Sequence, residues 1–189
     1  MNIMVTSSDS FIGSNFVLHM LNKYSDYRII CLDKRIYAGN LSMLAPVMYN
    51  PNFRFIKVGI CDCGFVNKLF REEQSDIMVN SAAESHVGLI EDSGIFNQTN
   101  IIGTAILMDA CRKYGIMRYY QVSIDEVYGG PQLDCPDLFF TEEIPIHINS
   151  SYNSFKAVED LQIYIVLVIC RCSPDVASTT MARITSCSD

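Results

Sequence analysis

Five short apolar runs dictate what this chain can fold into: Asn2–Thr6, Tyr27–Leu32, Phe53–Val58, Ile77–Ser81 and Met117–Val122. Between them lie stretches in which apolar residues recur at helical spacing. Phe11–Leu21 carries Phe11, Ile12, Phe16, Val17, Met20 and Leu21, and Leu41–Met48 is shorter and closed by the turn signal Asn50-Pro51. Phe65–Phe70 follows Asp62, and Thr99–Tyr114 is long, with Gly115 as a stop just past its end. A short apolar run reads as a strand buried on both faces, and the helical period marks what connects it to the next. Strands joined by helices cannot be hairpins. They need crossovers, which give a parallel sheet covered on both sides. The pattern predicts an α/β fold, a doubly wound parallel sheet without internal repeats or low-complexity linkers.

In such a sheet, ligands sit outside the carboxyl ends of the strands. The residues after each run are therefore the first place to look for chemistry. Ser7-Ser8-Asp9-Ser10 after the first run is rich in helix-capping residues. Asp33, at the end of the second, stands where a dinucleotide-binding fold puts its ribose carboxylate. After the fifth run comes Ser123-Ile124-Asp125-Glu126-Val127-Tyr128-Gly129, with two carboxyls suited to acid and base work. Tyr152 and Lys156 are four apart, on one face of a helix. A neighbouring ammonium favours the phenolate and turns an acid of pKa about 10 into a usable base. Alone, a Tyr–Lys pair is a common helix-surface feature and Asp-Glu a common solvated loop. Joined to the strand–helix alternation, they make a toolkit for redox and elimination. Gly129–Ser150, with Pro131, Pro136 and Pro145, reads as a long loop of the kind that covers a site.

Composition narrows the classes. A chain of 189 residues, 49% hydrophobic and 19% charged, has the makings of one folded core. A net charge of -7 argues against non-specific nucleic-acid binding, which needs clustered Lys and Arg. Met1–Thr6 lacks the basic start of a secretory signal, and the longest apolar run, Ile163–Cys170, falls far short of the roughly 20 residues of a membrane span. The expectation is a cytoplasmic protein with no nucleic-acid or membrane partner. Among its eight cysteines, Cys61-Asp62-Cys63 and Cys170-Arg171-Cys172 lack the spacing of common zinc sites. They read as reduced thiols, with no metal.

The words Phe11-Ile12-Gly13-Ser14, Leu32-Asp33-Lys34, Tyr37-Ala38-Gly39-Asn40 and Ile60-Cys61-Asp62 then combine with Ala82-Ala83-Glu84-Ser85-His86-Val87, Thr99-Asn100 with Gly103-Thr104, Asp125-Glu126-Val127-Tyr128-Gly129, and Tyr152 with Lys156. On these words the chain resembles the extended short-chain dehydrogenase/reductases, and within them the dTDP-glucose 4,6-dehydratase branch. The likeness runs from Met1 to about Asp160. It implies a Rossmann-like domain over 1–172 and a missing C-terminal substrate domain, while the Ser/Thr-rich composition of 173–189 reads as a disordered tail. It also implies a tightly bound NAD and a nucleotide-linked hexose that loses water.

By the same resemblance, NAD would lie on Phe11, Ile12 and Gly13, on Asp33 and Lys34, and on Ile60, Ala82, Ala83, Ser85 and Thr99. Tyr152 and Lys156 would complete that set, and Ser85 and Asn100 would touch substrate. The implied catalytic residues are Tyr152 as base at the sugar 4-hydroxyl, Lys156 lowering its pKa, Glu126 taking the C5 proton and Asp125 protonating the leaving C6 hydroxyl. The family pairs through the Thr99–Tyr114 and Tyr152 helices, so a homodimer is the implied assembly.

The chain also departs from the pattern. Of the glycines in the phosphate turn only Gly13 is present, with Ser7 and Ser10 in the other two places. A side chain forced left-handed costs about 1–2 kcal/mol. Asp9 adds a negative charge at an anion site, worth roughly 3 kcal/mol of repulsion at about 5 Å and an effective dielectric of about 20. Gly59 replaces an acidic residue, Gly88-Leu89 an Asp-Arg pair, and Ile124 a catalytic Thr. The Tyr152 helix runs directly into Ile163–Cys170 without a turn. These departures support a second reading, an inactive remnant or interaction domain with weak or no NAD binding.

Overall fold

The computed structural model describes residues 1–34, 41–84, 93–129, 145–148, 154–162 and 182–183. Its sheet has six strands: β1 (Asn2–Thr6), β2 (Arg28–Asp33), β3 (Phe53–Lys57), β4 (Ile77–Asn80), β5 (Arg118–Ser123) and β6 (Ala182–Arg183). Their order is β3-β2-β1-β4-β5-β6, and every pairing is parallel. The five expected strands are all present, with ends moved by one residue or so. Ile163–Cys170 lies outside the described residues. β6 pairs with the end of β5 (Val122 with Ala182, Ser123 with Arg183) and falls inside the 173–189 segment expected to be a tail.

Helices cover both faces. α1 (Phe11–Lys23) and a 3-10 helix (Leu41–Val47) lie on one side; α2 (Cys63–Glu73) and α4 (Thr104–Tyr114) lie on the other. Alternation along the strands divides the core between them. Ile3 and Val5 of β1 join Val17, Leu21, Leu44 and Val47 on the first face. Met4, one step between them, joins Val66, Leu69, Phe70, Leu107 and Ala110 on the second. Each such fully buried side chain is worth about 1.5–3 kcal/mol relative to exposure.

The helix boundaries follow local chemistry. Ser10 caps α1, its Oγ accepting the Gly13 N–H at 3.2 Å, and Asp62 caps α2, accepting the Phe65 N–H at 2.9 Å. Gly115 ends α4 at φ 74°, a left-handed conformation that favours glycine.

The helix expected to start at Thr99 starts earlier. α3 (Ser93–Phe96) runs into a π-helical turn (Asn97–Gly103) and then into α4. A last helix, α5, spans 154–162 and is held to α3 by the stacked rings of Phe155 and Phe96, 5.6 Å apart.

Consecutive crossovers leave β1 in one direction and β4 in the other. The order therefore reverses between those two strands, and a crevice opens at their carboxyl ends.

Candidate active site at the carboxyl edge of the sheet

The first part of the site is the turn between β1 and α1. Gly13 is required there for space: a Cβ on it would sit 2.2 Å from the Ser7 carbonyl oxygen, well inside contact distance. Of the two serines in glycine places, only Ser7 takes a left-handed backbone, at φ 49°. Ser10, at φ -77° and ψ 166°, is ordinary extended chain and spends its hydroxyl on the turn, donating to the Ser7 carbonyl at 2.6 Å. The strain expected at both positions is thus confined to one.

Asp9 is buried, and its N–H points at Asp33 Oδ2, 3.4 Å away. Both carboxylates bear on Cys31. Burial pushes that thiol up to about 12, Ser8 opposes by hydrogen bonding, and the charges of Asp33 and Asp9 raise it further. Asp9 therefore keeps its side chain within the fold, beside the expected ribose carboxylate.

Beyond the turn lies a cavity of ≈ 360 Å³ at the ends of β1, β2 and β4. Asp33, Lys34, Ile60, Ala82, Ala83 and Thr99 all line it, joined by Ser7 and Gly59. Lys34 runs its aliphatic stem past Gly59. Ile60 is fixed by close packing on Gly103, where a Cβ would lie 2.5 Å from Ile60 Cδ1. Small walls (Gly59, Ala82, Ala83), an apolar floor and one carboxylate at a strand end can hold a flat heterocycle and accept from sugar hydroxyls.

Phe11 and Ile12 stand apart from this cavity. Phe11 is 76% exposed, and both line an apolar groove of ≈ 620 Å³ on the α1 face of the sheet. Only their backbone belongs to the turn.

Asn100 has its amide engaged within the fold. Fully buried in the π turn, it accepts the Glu84 N–H at 2.8 Å and donates to the Glu84 carbonyl at 3.1 Å. Its amide is committed to the loop that carries Ala82 and Ala83. Ser85 and His86 lie outside the described residues.

The second part of the site is at the end of β5. Asp125 and Glu126 open a 3-10 turn (Asp125–Tyr128), and Glu126 is exposed. The turn closes at Gly129, φ 102°, while His147 donates its N–H to the Val127 carbonyl at 2.9 Å. Lys156 projects from α5 onto the same strand end, 3.4 Å from the Val122 carbonyl, and Ser123 donates to Asp160 Oδ2 at 2.9 Å. Tyr152 lies outside the described residues.

A buried polar chain that the apolar pattern did not announce connects the two parts. Thr6 donates to Asn80 Oδ1 at 2.5 Å, and Asn80 donates to Gln121 Oε1 at 2.9 Å. Gln121 then donates to Glu159 Oε2 at 2.7 Å, and Lys156 to the same oxygen at 2.9 Å. The Ser81 and Ala82 N–H groups both donate to Thr6 Oγ1 at 3.1 Å, so the chain also shapes the wall of the cavity. Burial pushes the Glu159 carboxyl up to about 7, against the pull of Lys156; burial also raises Asp160, against its hydrogen bond from Ser123. Among the described residues no cluster of three or more His, Cys, Asp or Glu is placed to hold a metal ion.

This geometry has counterparts. The family model described as GDP-mannose 4,6 dehydratase matches residues 4–166. The chain belongs to that family. Among curated relatives, the dTDP-glucose 4,6-dehydratase of Haemophilus influenzae is 38% identical over 170 residues, 85% of this chain and 49% of that protein. Among solved structures, the dTDP-glucose 4,6-dehydratase of Bacillus anthracis in complex with NAD is 36% identical, with a TM-score of 0.78 over 98% of this chain and 53% of that one. The Streptomyces venezuelae dTDP-glucose 4,6-dehydratase DesIV, with NAD and TYD bound, is 33% identical, with a TM-score of 0.80 over 98% and 54%. The chain spans about half the length of the family members it matches.

Proposed function

We propose that the chain binds NAD and supplies the acid–base residues that remove water from a nucleotide-linked hexose, dTDP-glucose. The observation that carries this is the convergence on one sheet edge of the Asp33 cavity, the Asp125–Glu126 turn and Lys156. The names of the relatives point the same way, and nothing in them favours an inactive remnant.

Asp33 would accept from the adenosine ribose, Ala82, Ala83 and Ile60 would pack on the rings, and the turn around Gly13 would meet the pyrophosphate. Lys34, Ser85 and Thr99 would complete the cofactor wall, and Ser85 would also reach the substrate. When bound, NAD supplies a hydride acceptor and later a hydride donor. The protein's own work is proton management. Tyr152 would take the proton of the sugar 4-hydroxyl, eased by the ammonium of Lys156. Oxidation at C4 acidifies C5, so Glu126 can remove that proton while Asp125 protonates the departing C6 hydroxyl. Asn100 acts at one remove, by holding the Ala82–Glu84 loop.

The reading extends to a cytoplasmic homodimer. It is supported by the free thiols of Cys31, Cys61, Cys63 and Cys111 and by the exposed apolar Ile102 and Leu161 on the helices at issue.

Calorimetric titration with NAD tests the cofactor half. Binding at micromolar level, with Asp33→Ala weakening it at least tenfold, is the expected result, a tenfold change being about 1.4 kcal/mol. Mass analysis of dTDP-glucose after incubation tests the other half: loss of one water in the wild type, and none in Tyr152→Phe that still binds NAD. A folded chain with no heat at millimolar NAD would end the proposal.

A further inference from the structure

Lys156 is almost completely buried, and an ammonium has three hydrogens to give. Two of its contacts are fixed by the fold, Glu159 Oε2 and the Val122 carbonyl. Glu159 shows no exposed surface at all. Its Oε2 takes both Lys156 and Gln121, while its Oε1 has no hydrogen-bond partner among the described residues. A dry carboxylate with one oxygen unsatisfied is costly to keep ionised.

Among the described residues, the charged and titratable neighbours that act on this acid are few. From α5 come Lys156, which favours ionisation, and Asp160, which opposes it. From β5 comes Tyr119, whose own ionisation is suppressed mainly by burial and which donates to Gln121. Gln121 and, behind it, Asn80 of β4 are neutral. Two charge states therefore compete. With Glu159 ionised, the Lys156–Glu159 pair has no net charge; with Glu159 protonated, the ammonium loses its hydrogen-bonded counter-charge and keeps only the weaker attraction of Asp160.

We propose that Glu159 is a positioning residue for the reaction: it pins the Lys156 ammonium against the end of β5 and, through its own ionisation, sets how much positive charge that ammonium presents to the phenol and ribose it serves. The proposal rests on the reading of Lys156 as the partner of Tyr152 and of the cofactor. The sequence pattern at these positions, Lys followed three residues later by Glu, looks like an ordinary surface pair. Its burial is what changes its meaning.

The test uses the whole chain labelled with carboxyl-13C glutamate and ε-13C lysine, titrated by NMR from acid to alkaline pH. The expected result is one glutamate with a midpoint near neutrality, and a Lys156 signal that moves at the same midpoint. In Glu159→Gln both the titration and the Lys156 movement disappear. Calorimetry with NAD then reads the consequence. Wild-type affinity falls as pH rises through the Glu159 midpoint, by on the order of tenfold for a unit charge about 10 Å away at an effective dielectric of about 20. Glu159→Gln holds the tighter, low-pH affinity throughout.

A wild-type chain in which every glutamate titrates in the ordinary range, or in which Lys156 ignores Glu159, overturns the proposal without any variant. Equal pH profiles for NAD in wild type and Glu159→Gln overturn it too. Absence of NAD binding in both proteins removes the cofactor reading alone, and the coupled titration still decides the role of Glu159.

Discussion

Replacing Ser7 or Ser10 with glycine makes the same chemical change three residues apart, yet the structure assigns the two substitutions opposite signs. At Ser7, φ is 49°. Glycine there releases about 1–2 kcal/mol of left-handed strain. It also gives the unfolded chain more freedom, which takes back about 0.4–1 kcal/mol. The net expectation is stabilisation by about 0.5–1 kcal/mol. At Ser10 the backbone is relaxed, so no strain is available to release. Glycine there loses the bond from Ser10 Oγ to the Ser7 carbonyl, 2.6 Å long, worth about 1 kcal/mol. Loss of the cap to the Gly13 N–H costs a few tenths more, and the entropy term now adds to the damage. The total is destabilisation by about 1.5–2 kcal/mol. For a chain of this size the two variants should melt roughly 5–10 °C apart, with wild type between them. Parallel urea and thermal unfolding followed by circular dichroism would measure this. If Ser7→Gly lowers the urea midpoint as Ser10→Gly does, the turn is not strained at Ser7 and the argument fails.

Three further expectations rest on separate contacts. Gly13→Ala would drive a methyl into the Ser7 carbonyl and should cost about 1–3 kcal/mol, read as a fall in urea midpoint at unchanged slope. Asn100→Ala leaves the Glu84 N–H and carbonyl buried and unmet, about 1–3 kcal/mol for each group; hydrogen exchange at Glu84 should accelerate even where the global fold survives. The raised Glu159 carboxyl makes the native state bind a proton that the unfolded chain releases. Its contribution is complete below the ordinary carboxyl value of 4.5 and lost as pH rises through about 7. Stability should thus decline by about 3 kcal/mol across that window from this group alone, and Glu159→Gln should flatten the decline in unfolding measured at successive pH values.

The pattern of apolar runs was enough to read five strands and their parallel pairing, because helical stretches separate the runs and helical crossovers join parallel strands. Asp33 was equally legible, since its distance from the first turn is set by one helix and one strand. The helix before Thr99 was missed for a local reason: it opens with Ser93-Gly94, residues with weak helical preference, and it is held by Phe96 stacking on α5, a contact between distant parts of the chain. Thr6, Asn80 and Gln121 carry no signal in the apolar pattern. Their register was the missing information. Val5 pairs with Val79 and Asn80 pairs with Gln121, which brings the three polar residues to one level of adjacent strands. Glu159 had no signal of its own, because an i, i+3 spacing to lysine says nothing about burial. Asn100 bonds the backbone at Glu84, a use the sequence does not announce because an amide near a site can serve either a ligand or the backbone that shapes the site.

The π turn from Asn97 to Gly103 gives the helix spanning 93–114 two phases in place of one. Upstream of it, Phe96 is turned toward α5; downstream, Leu107 and Ala110 are turned toward the sheet. The wider turn absorbs the angular mismatch between these two seatings, and Thr99, Asn100 and Gly103, which face the cavity, the loop and Ile60, are the residues at which it does so. Deleting one residue there would let the helix regularise, but one end would then have to rotate away from its partner. The segment works as a phase adapter, and the cavity wall is built on the joint.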